Sequence, residues 1–255
     1  MKTIIIRKKT LRLAAGLLLL CLLATGIMLL QPNHLISQVS SQTRLLPIYE
    51  VATCDDQVAI SFDASWGAEY TPDLLNILDE YQVKATFFLV NIWLEEYPQL
   101  AREIALRGHE IGMHSTTHPH FSQLSDGEIL QELKDNYELI QQTTGYTPKL
   151  FRPPFGDYNN KVVELVNACG YDCIQWSVDS LDWKDLEADE ICQRVTKDIQ
   201  AGDIVLFHNN GLHTAEALPQ ILDCFREKGL EAVPVCELLL DGDCYIDYNG
   251  VQRSK

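Results

Sequence analysis

Seven short apolar runs, separated by amphipathic stretches, constrain this chain more than any other feature. They are Val58–Phe62, Ala85–Val90, Glu110–Met113, Lys149–Arg152, Cys173–Val178, Ile204–Phe207 and Glu231–Val235. The stretches between them carry helix punctuation. Thr71-Pro72-Asp73 puts a proline at an early helical position, where its missing N–H costs nothing. Ser125 and Glu128 have capping-box spacing ahead of Ile129–Gln142. Tyr97–Arg107 stops at Gly108, Asn159–Ala168 near Gly170, Glu187–Gln200 near Gly202, and Leu218–Lys228 at Gly229. Strands alternating with helices predict a parallel sheet with crossover helices, either closed into a barrel or open and doubly wound. Both closures build their site at the C-terminal ends of the strands. The chain has no Gly-x-Gly-x-x-Gly and no P-loop, which weighs against a nucleotide-binding open sheet.

The residues with chemistry in them follow those runs. His114-Ser-Thr-Thr-His118 ends the Glu110–Met113 run, and two imidazoles at this spacing point the same way if the chain turns helically between them. Neutral imidazoles are common ligands of catalytic divalent metals. Asp63 ends the first run, as a base, a metal ligand or a loop cap. In Phe151-Arg152-Pro153-Pro154-Phe155-Gly156, paired prolines fix the backbone and Arg152 can grip a carboxylate in a bidentate manner. Trp176-Ser-Val-Asp179-Ser-Leu-Asp182-Trp183 sets two carboxylates beside two indoles. Trp176 suits a core. Trp183, between charges, suits a groove where sugar faces stack. His208 follows four large apolar residues, and with an Asp facing it becomes a general acid–base candidate. His109, His120 and His213 read as structural or rim residues, and His34 as inert.

Charge is distributed unevenly. The formal net charge is −16, yet residues 1–49 carry six cations and no acid, which leaves 14 Lys and Arg against 36 acids beyond them. Nucleic acid is excluded as a partner for such a surface, because binding it requires cations that neutralise phosphates. Five cations in residues 1–12 precede an uncharged run, Leu13–Leu30, whose eighteen residues approach the length of a bilayer span. The positive flank would stay cytoplasmic and the remainder would lie outside. An uncleaved signal anchor competes with cleavage near Ala24-Thr25-Gly26 and secretion. Residues 31–50, polar and rich in Ser and Gln, read as a linker. Of eight cysteines, Cys21 lies in the apolar segment. Cys54, Cys169, Cys173, Cys192, Cys224, Cys236 and Cys244 lie beyond it, with no Cys-x-x-Cys and no assignable pairing.

Five ordered segments, Ser61–Gly67, His114–His118, Arg152–Phe155, Asp179–Trp183 and Leu206–His208, resemble the polysaccharide deacetylase family, the NodB-homology domain of carbohydrate esterase family 4. The resemblance covers about residues 55–240. The Phe-Asp-x-Ser-Trp-Gly form of the first segment, with the membrane segment, resembles the subgroup tied to sporulation and peptidoglycan. The resemblance implies a distorted (β/α) barrel of about seven parallel strands over residues 51–240, followed by a tail, 241–255, with no assigned role. It implies hydrolysis of N-acetyl groups from N-acetylhexosamines of a cell-wall glycan, with chitin-type or exported polysaccharide as alternatives. His114 and His118 would hold a divalent metal, usually zinc. Asp63 would be the base, oriented by Arg152. The backbone N–H of Phe155 would serve the oxyanion. His208, paired with Asp182, would protonate the departing amine. Trp183, Trp66, Phe155 and Asp179 would line the sugar groove. The family's third metal ligand, an Asp after the base, is here Ala64. Three outcomes stay open: Asp63 turns ligand, the metal sits on two histidines and waters, or the domain binds glycan without hydrolysing it.

Overall fold

The computed structural model describes residues 44–53 and 55–255. The expected basic segment 1–12, the apolar segment 13–30, most of the linker 31–50, and Cys21, His34 and Cys54 lie outside the described residues. Within them no helix is long and apolar enough to cross a membrane.

The chain enters through β1 (Glu50–Val51) and then lays down β2 (Gln57–Ala64), α1 (Thr71–Glu80), β3 (Thr86–Leu89), α2 (Asn91–Glu96), α3 (Pro98–Leu106) and β4 (Glu110–Met113). It continues through α4 (Asp126–Thr144), β5 (Leu150–Phe151), α5 (Asn160–Ala168), β6 (Asp172–Cys173), β7 (Val178–Asp179) and α6 (Ala188–Thr196). The last part holds β8 (Ile204–His208), α7 (Thr214–Glu227), β9 (Glu231–Val233), α8 (Val235–Leu238), β10 (Cys244–Ile246) and β11 (Val251–Ser254). The signals read from sequence act where they stand. Pro72 lies in the first turn of α1, and Ser125 and Glu128 close a reciprocal capping box on α4, which ends at left-handed Gly145.

Seven parallel strands run in the order β6-β5-β4-β3-β2-β8-β7, and β9 joins β2 over Gln57–Ala59, the part that β3 does not reach. The path is a half-barrel: among the described residues no ladder joins β7 to β6. The apolar run Cys173–Val178 is therefore not one strand. It splits into β6 and β7, which stand at opposite edges of the sheet, and the irregular residues between them carry the chain across the opening. There Gln175 N–H donates to Ile48 O at 2.7 Å and Ser177 N–H to Ile204 O at 3.1 Å. Without a ladder across the opening, these contacts pair backbone groups that would otherwise lack partners.

Side chains alternate across β2 with the strand period of two. Val58, Ile60, Phe62 and Ala64 join the large apolar cluster that includes Leu74, Ile104, Leu133, Val162 and Leu218 of the surrounding helices. Ala59 joins a second cluster with Phe88, Leu150, Ile174 and Ile204. Ser61 and Asp63 share that second face and bind Arg152. Residues 241–255 supply β10 and β11, which form a three-stranded sheet with β1, Glu50 opposite Val251.

Candidate active site

Strand ends bring the candidates to one cavity of about 560 Å³. Asp63, Trp66, His114, His118, Phe155, Asp179, Trp183 and His208 line it, together with Ser65, Trp176, Asn209 and Asn210. Arg152 and Asp182 lie fully buried behind this lining.

Asp63, next to last in β2, stands opposite His208 at the end of β8. Arg152 Nη1 donates to Asp63 Oδ1 at 2.7 Å, while Nη2 donates to Ser61 Oγ at 2.9 Å and to Gln175 O at 3.1 Å. The guanidinium lies over the Phe88 ring, 4.1 Å from its centroid, and 5.6 Å from that of Trp176. A planar cation among aromatic rings suits arginine and not lysine. Gly112 makes room for it, because a Cβ there would fall 2.4 Å from the Phe88 ring. Burial alone would raise the Asp63 carboxyl. Arg152, His114 and His208 outweigh it and hold the group below the usual carboxylate range.

His208, beside Asp63 on the neighbouring strand, pairs with buried Asp182. His208 Nδ1 lies 2.7 Å from Asp182 Oδ1, and Asp182 Oδ2 accepts from His208 N–H at 2.8 Å and from Thr214 Oγ1 at 2.7 Å. Burial would lower the imidazole pKa, but the hydrogen bond and charge of Asp182 prevail and raise it. The pair therefore favours an imidazolium whose Nε2 is left to face the cavity, the arrangement a general acid needs.

The two remaining imidazoles behave oppositely. His114 is buried and kept neutral by that burial, and its Nδ1 lies 2.7 Å from Arg152 O. Donating Nδ1–H to a carbonyl leaves the Nε2 lone pair free for a cation. His118 is pushed down to about 3, by burial first and by His114 second, and its buried Nδ1 has no hydrogen-bond partner. The rings stand 5.1 Å apart. They are not carried on a helical turn, as the spacing suggested. The backbone takes left-handed φ at Ser115 (82°) and His118 (56°), and α4 holds the loop from the side. Asn136 Oδ1 accepts from His114 and Ser115 N–H, and Glu132 Oε2 from Thr116 and Thr117 N–H. Neither residue stood out in the sequence, because a polar side chain on an amphipathic helix reads as solvent-facing.

Neutral, inward-facing imidazoles with one unpartnered buried nitrogen fit a divalent cation. The protein supplies two donors and no third: among the described residues no group of three His, Cys, Asp or Glu side chains is placed to hold a metal. Ala64 is fully buried in the helix-facing cluster. Asp63 Oδ2 stands 3.5 Å from His114 Nε2, but its other oxygen is committed to Arg152. Such a site holds metal less tightly than one with a carboxylate ligand.

The rim is aromatic. Trp66 and Phe155 flank the His118 ring at centroid distances of 4.7 and 4.4 Å, and Phe155 stacks on His120. Trp66, Phe155 and Trp183 are each more than half exposed. Five of the six non-glycine residues with positive φ among the described residues are at this site: Ser115, His118, Phe155, Leu181 and Asp185. Such backbone costs of order 1–3 kcal/mol per residue and gathers where geometry must be fixed. No sequence pattern announced it.

Residues 50–174 match the family model described as polysaccharide deacetylase. The chain is 34% identical to a peptidoglycan-N-acetylglucosamine deacetylase of Bacillus cereus, over 75% of this chain and 92% of that protein. It is 37% identical to the uncharacterized protein YlxY of Bacillus subtilis, over 76% of this chain, and spans 60% of that relative's length. The structure superposes on BA3943 of Bacillus anthracis, a CE4 family pseudoenzyme, with a TM-score of 0.73 and 36% identity, covering 75% of this chain and 68% of the other.

Proposed function

This chain belongs to the polysaccharide deacetylase family, and from that premise we propose that it removes N-acetyl groups from N-acetylhexosamine residues of a cell-wall glycan, peptidoglycan above all. The supporting observation is the intact pair of proton-transfer groups, Asp63–Arg152 and His208–Asp182, with Asp63 and His208 side by side on adjacent strands at one cavity. Buried ion pairs are expensive compared with apolar side chains of equal volume. A surface that only grips sugar does not need them, whereas hydrolysis of an amide does.

The reaction consumes one water and yields a free amine and acetate. Asp63, ionised and fixed by Arg152, accepts a proton from the attacking water as its oxygen bonds to the acetyl carbon. The backbone N–H of Phe155, on its rigid left-handed turn, is the protein's donor toward the oxygen that becomes negative. His208, charged and oriented by Asp182, gives its proton to the sugar nitrogen as the C–N bond breaks. Trp183, Trp66 and Phe155 take the apolar faces of the sugar rings, and Asp179 their hydroxyls. His114 and His118 are the residues that would hold zinc or a similar cation, which when bound polarises the acetyl carbonyl and acidifies water. The basic segment 1–12 and the apolar run 13–30 support a single-pass anchor with the domain outside the cytoplasm, where the glycan is; secretion after cleavage is the alternative.

Ala64 and the likeness to BA3943 favour a second reading: a glycan-binding member of the family that does not hydrolyse. Acetate release by the purified chain from N-acetylglucosamine oligomers and from peptidoglycan separates the two. Release that requires added zinc or cobalt and vanishes in Asp63→Asn supports the hydrolase. Oligomer binding without release supports the second reading.

A further inference from the structure

We propose that Cys192 and Cys224 are a disulfide site that staples α6 to α7. Consecutive β–α units set their helices side by side and parallel, and α6 and α7 follow this rule, one leading into β8 and the other out of it. Their C-terminal turns are in register: Lys228 Nζ donates to Thr196 O at 2.6 Å. Cys192 stands four residues before Thr196, and Cys224 four residues before Lys228. One helical turn back along two parallel helices, the cysteines are therefore level with each other. Asp223 and Arg226 reach Tyr81 at the end of α1, which turns the neighbouring Cys224 toward the α6 side. Cys192 packs partly buried against the main core cluster. Its thiol is pushed up chiefly by burial, against a hydrogen bond from Thr196 that lowers it, and the Cys192 and Cys224 thiols are both free in this structure. The other described cysteines are placed differently. Cys173 is buried at the end of β6, and the Cys244 thiol leans on Leu240 O at 3.6 Å.

The bond would form by exchange with a disulfide-bearing oxidant such as oxidised glutathione. One thiolate attacks the external disulfide and releases an external thiol. The second thiolate attacks the mixed disulfide and releases the other. Two protein thiols and one external disulfide become one protein disulfide and two external thiols. The staple spans the mount of the candidate acid. The helical turn that carries Asp182 and Trp183 leads into α6, and Thr214, which donates to Asp182, opens α7.

The test takes the full chain, reduces it, and reoxidises it in mixed oxidised and reduced glutathione. Free thiols are then alkylated and the chain is digested for mass spectrometry. The expected result is a linked peptide pair containing Cys192 and Cys224 as the major disulfide product. Melting of the oxidised chain should rise by on the order of 10 °C over the reduced chain, as a loop of this length predicts. Cys192→Ser and Cys224→Ser should each abolish the linked pair and the rise. Recovery of both cysteines alkylated after oxidation, or linked mainly to other cysteines, would overturn the proposal. The wild-type peptide map decides this even where a serine variant folds poorly.

Discussion

Removing Arg152 should expose the cost of the carboxylate it holds. Asp63 is 6% exposed and Arg152 wholly buried. In Arg152→Met the flat, ring-stacked space is refilled by an apolar chain, so lost packing is modest. What remains is an ionised carboxylate with one close polar neighbour, His114 Nε2 at 3.5 Å. Breaking a buried pair in this way costs roughly 3–5 kcal/mol at neutral pH. Asp63→Asn should cost less, about 1–3 kcal/mol, because the guanidinium keeps Ser61 Oγ, the Gln175 carbonyl and the faces of Phe88 and Trp176. The double variant should be less unstable than the sum of the two by about 2 kcal/mol or more. The pH dependence fixes the cause. In the wild type the folded carboxyl lies below its unfolded value of about 3.9, so its contribution is complete above that value and is lost as pH falls through the folded one. In Arg152→Met the carboxyl rises above its unfolded value. The folded variant then gains a proton that the unfolded chain lacks, and its deficit shrinks as pH falls from 7.5 toward about 4.5. Protonation of His114 beside the orphaned carboxylate acts in the same direction. Urea unfolding across that range, with chelator present, measures the deficit. A penalty that stays constant with pH would refute the electrostatic account and leave only packing.

Asp182→Asn should lower the His208 titration followed by NMR and cut acetate release about 10- to 100-fold, the worth of one charge-assisted hydrogen bond; an unmoved titration would remove Asp182 from its role. Gly112→Ala should drive Phe88 against Arg152 and destabilise the fold by about 1–3 kcal/mol in urea, and unchanged stability would show that Phe88 has room to move. Zinc held by two imidazoles should be lost on dialysis at neutral pH, and binding should disappear in His114→Ala. Stoichiometric zinc that survives dialysis would point to a third protein ligand.

The order of elements was legible because the apolar runs, Pro72, the Ser125–Glu128 box and the closing glycines are local signals. The Cys173–Val178 run misled for a physical reason. An apolar run says only that residues are buried, and Ile174 is buried whether it pairs in a ladder or crosses the opening of the sheet. The candidate residues that the structure gathers at one cavity were picked out by their types and order. The support around them was not: Asn136 and Glu132 act through the backbone of a distant loop, and the left-handed turns at His118, Phe155 and Leu181 fall on residue types that do not announce them. Ala64 was readable as a missing ligand, but its placement in the helix-facing cluster needed the structure.

The sheet that joins β1 to the last strands has a mechanical consequence. Pull applied through residue 44 meets Arg44 on Tyr158 and Leu45 N–H on Asn160 Oδ1 first, and around β1 the load divides further. Part passes to β11 through Tyr49 N–H on Gly250 O and Ala52 N–H on Gln252 O, part to Gly202 through Val51 N–H, and part to Cys173 through Ile48 N–H. At Gly202 an added Cβ would meet Val51 O at 1.9 Å, so the two backbones are in direct contact at the entrance to β8. A tug on the N-terminal side is therefore spread over several anchor points before it reaches the strands that carry Asp63 and His208.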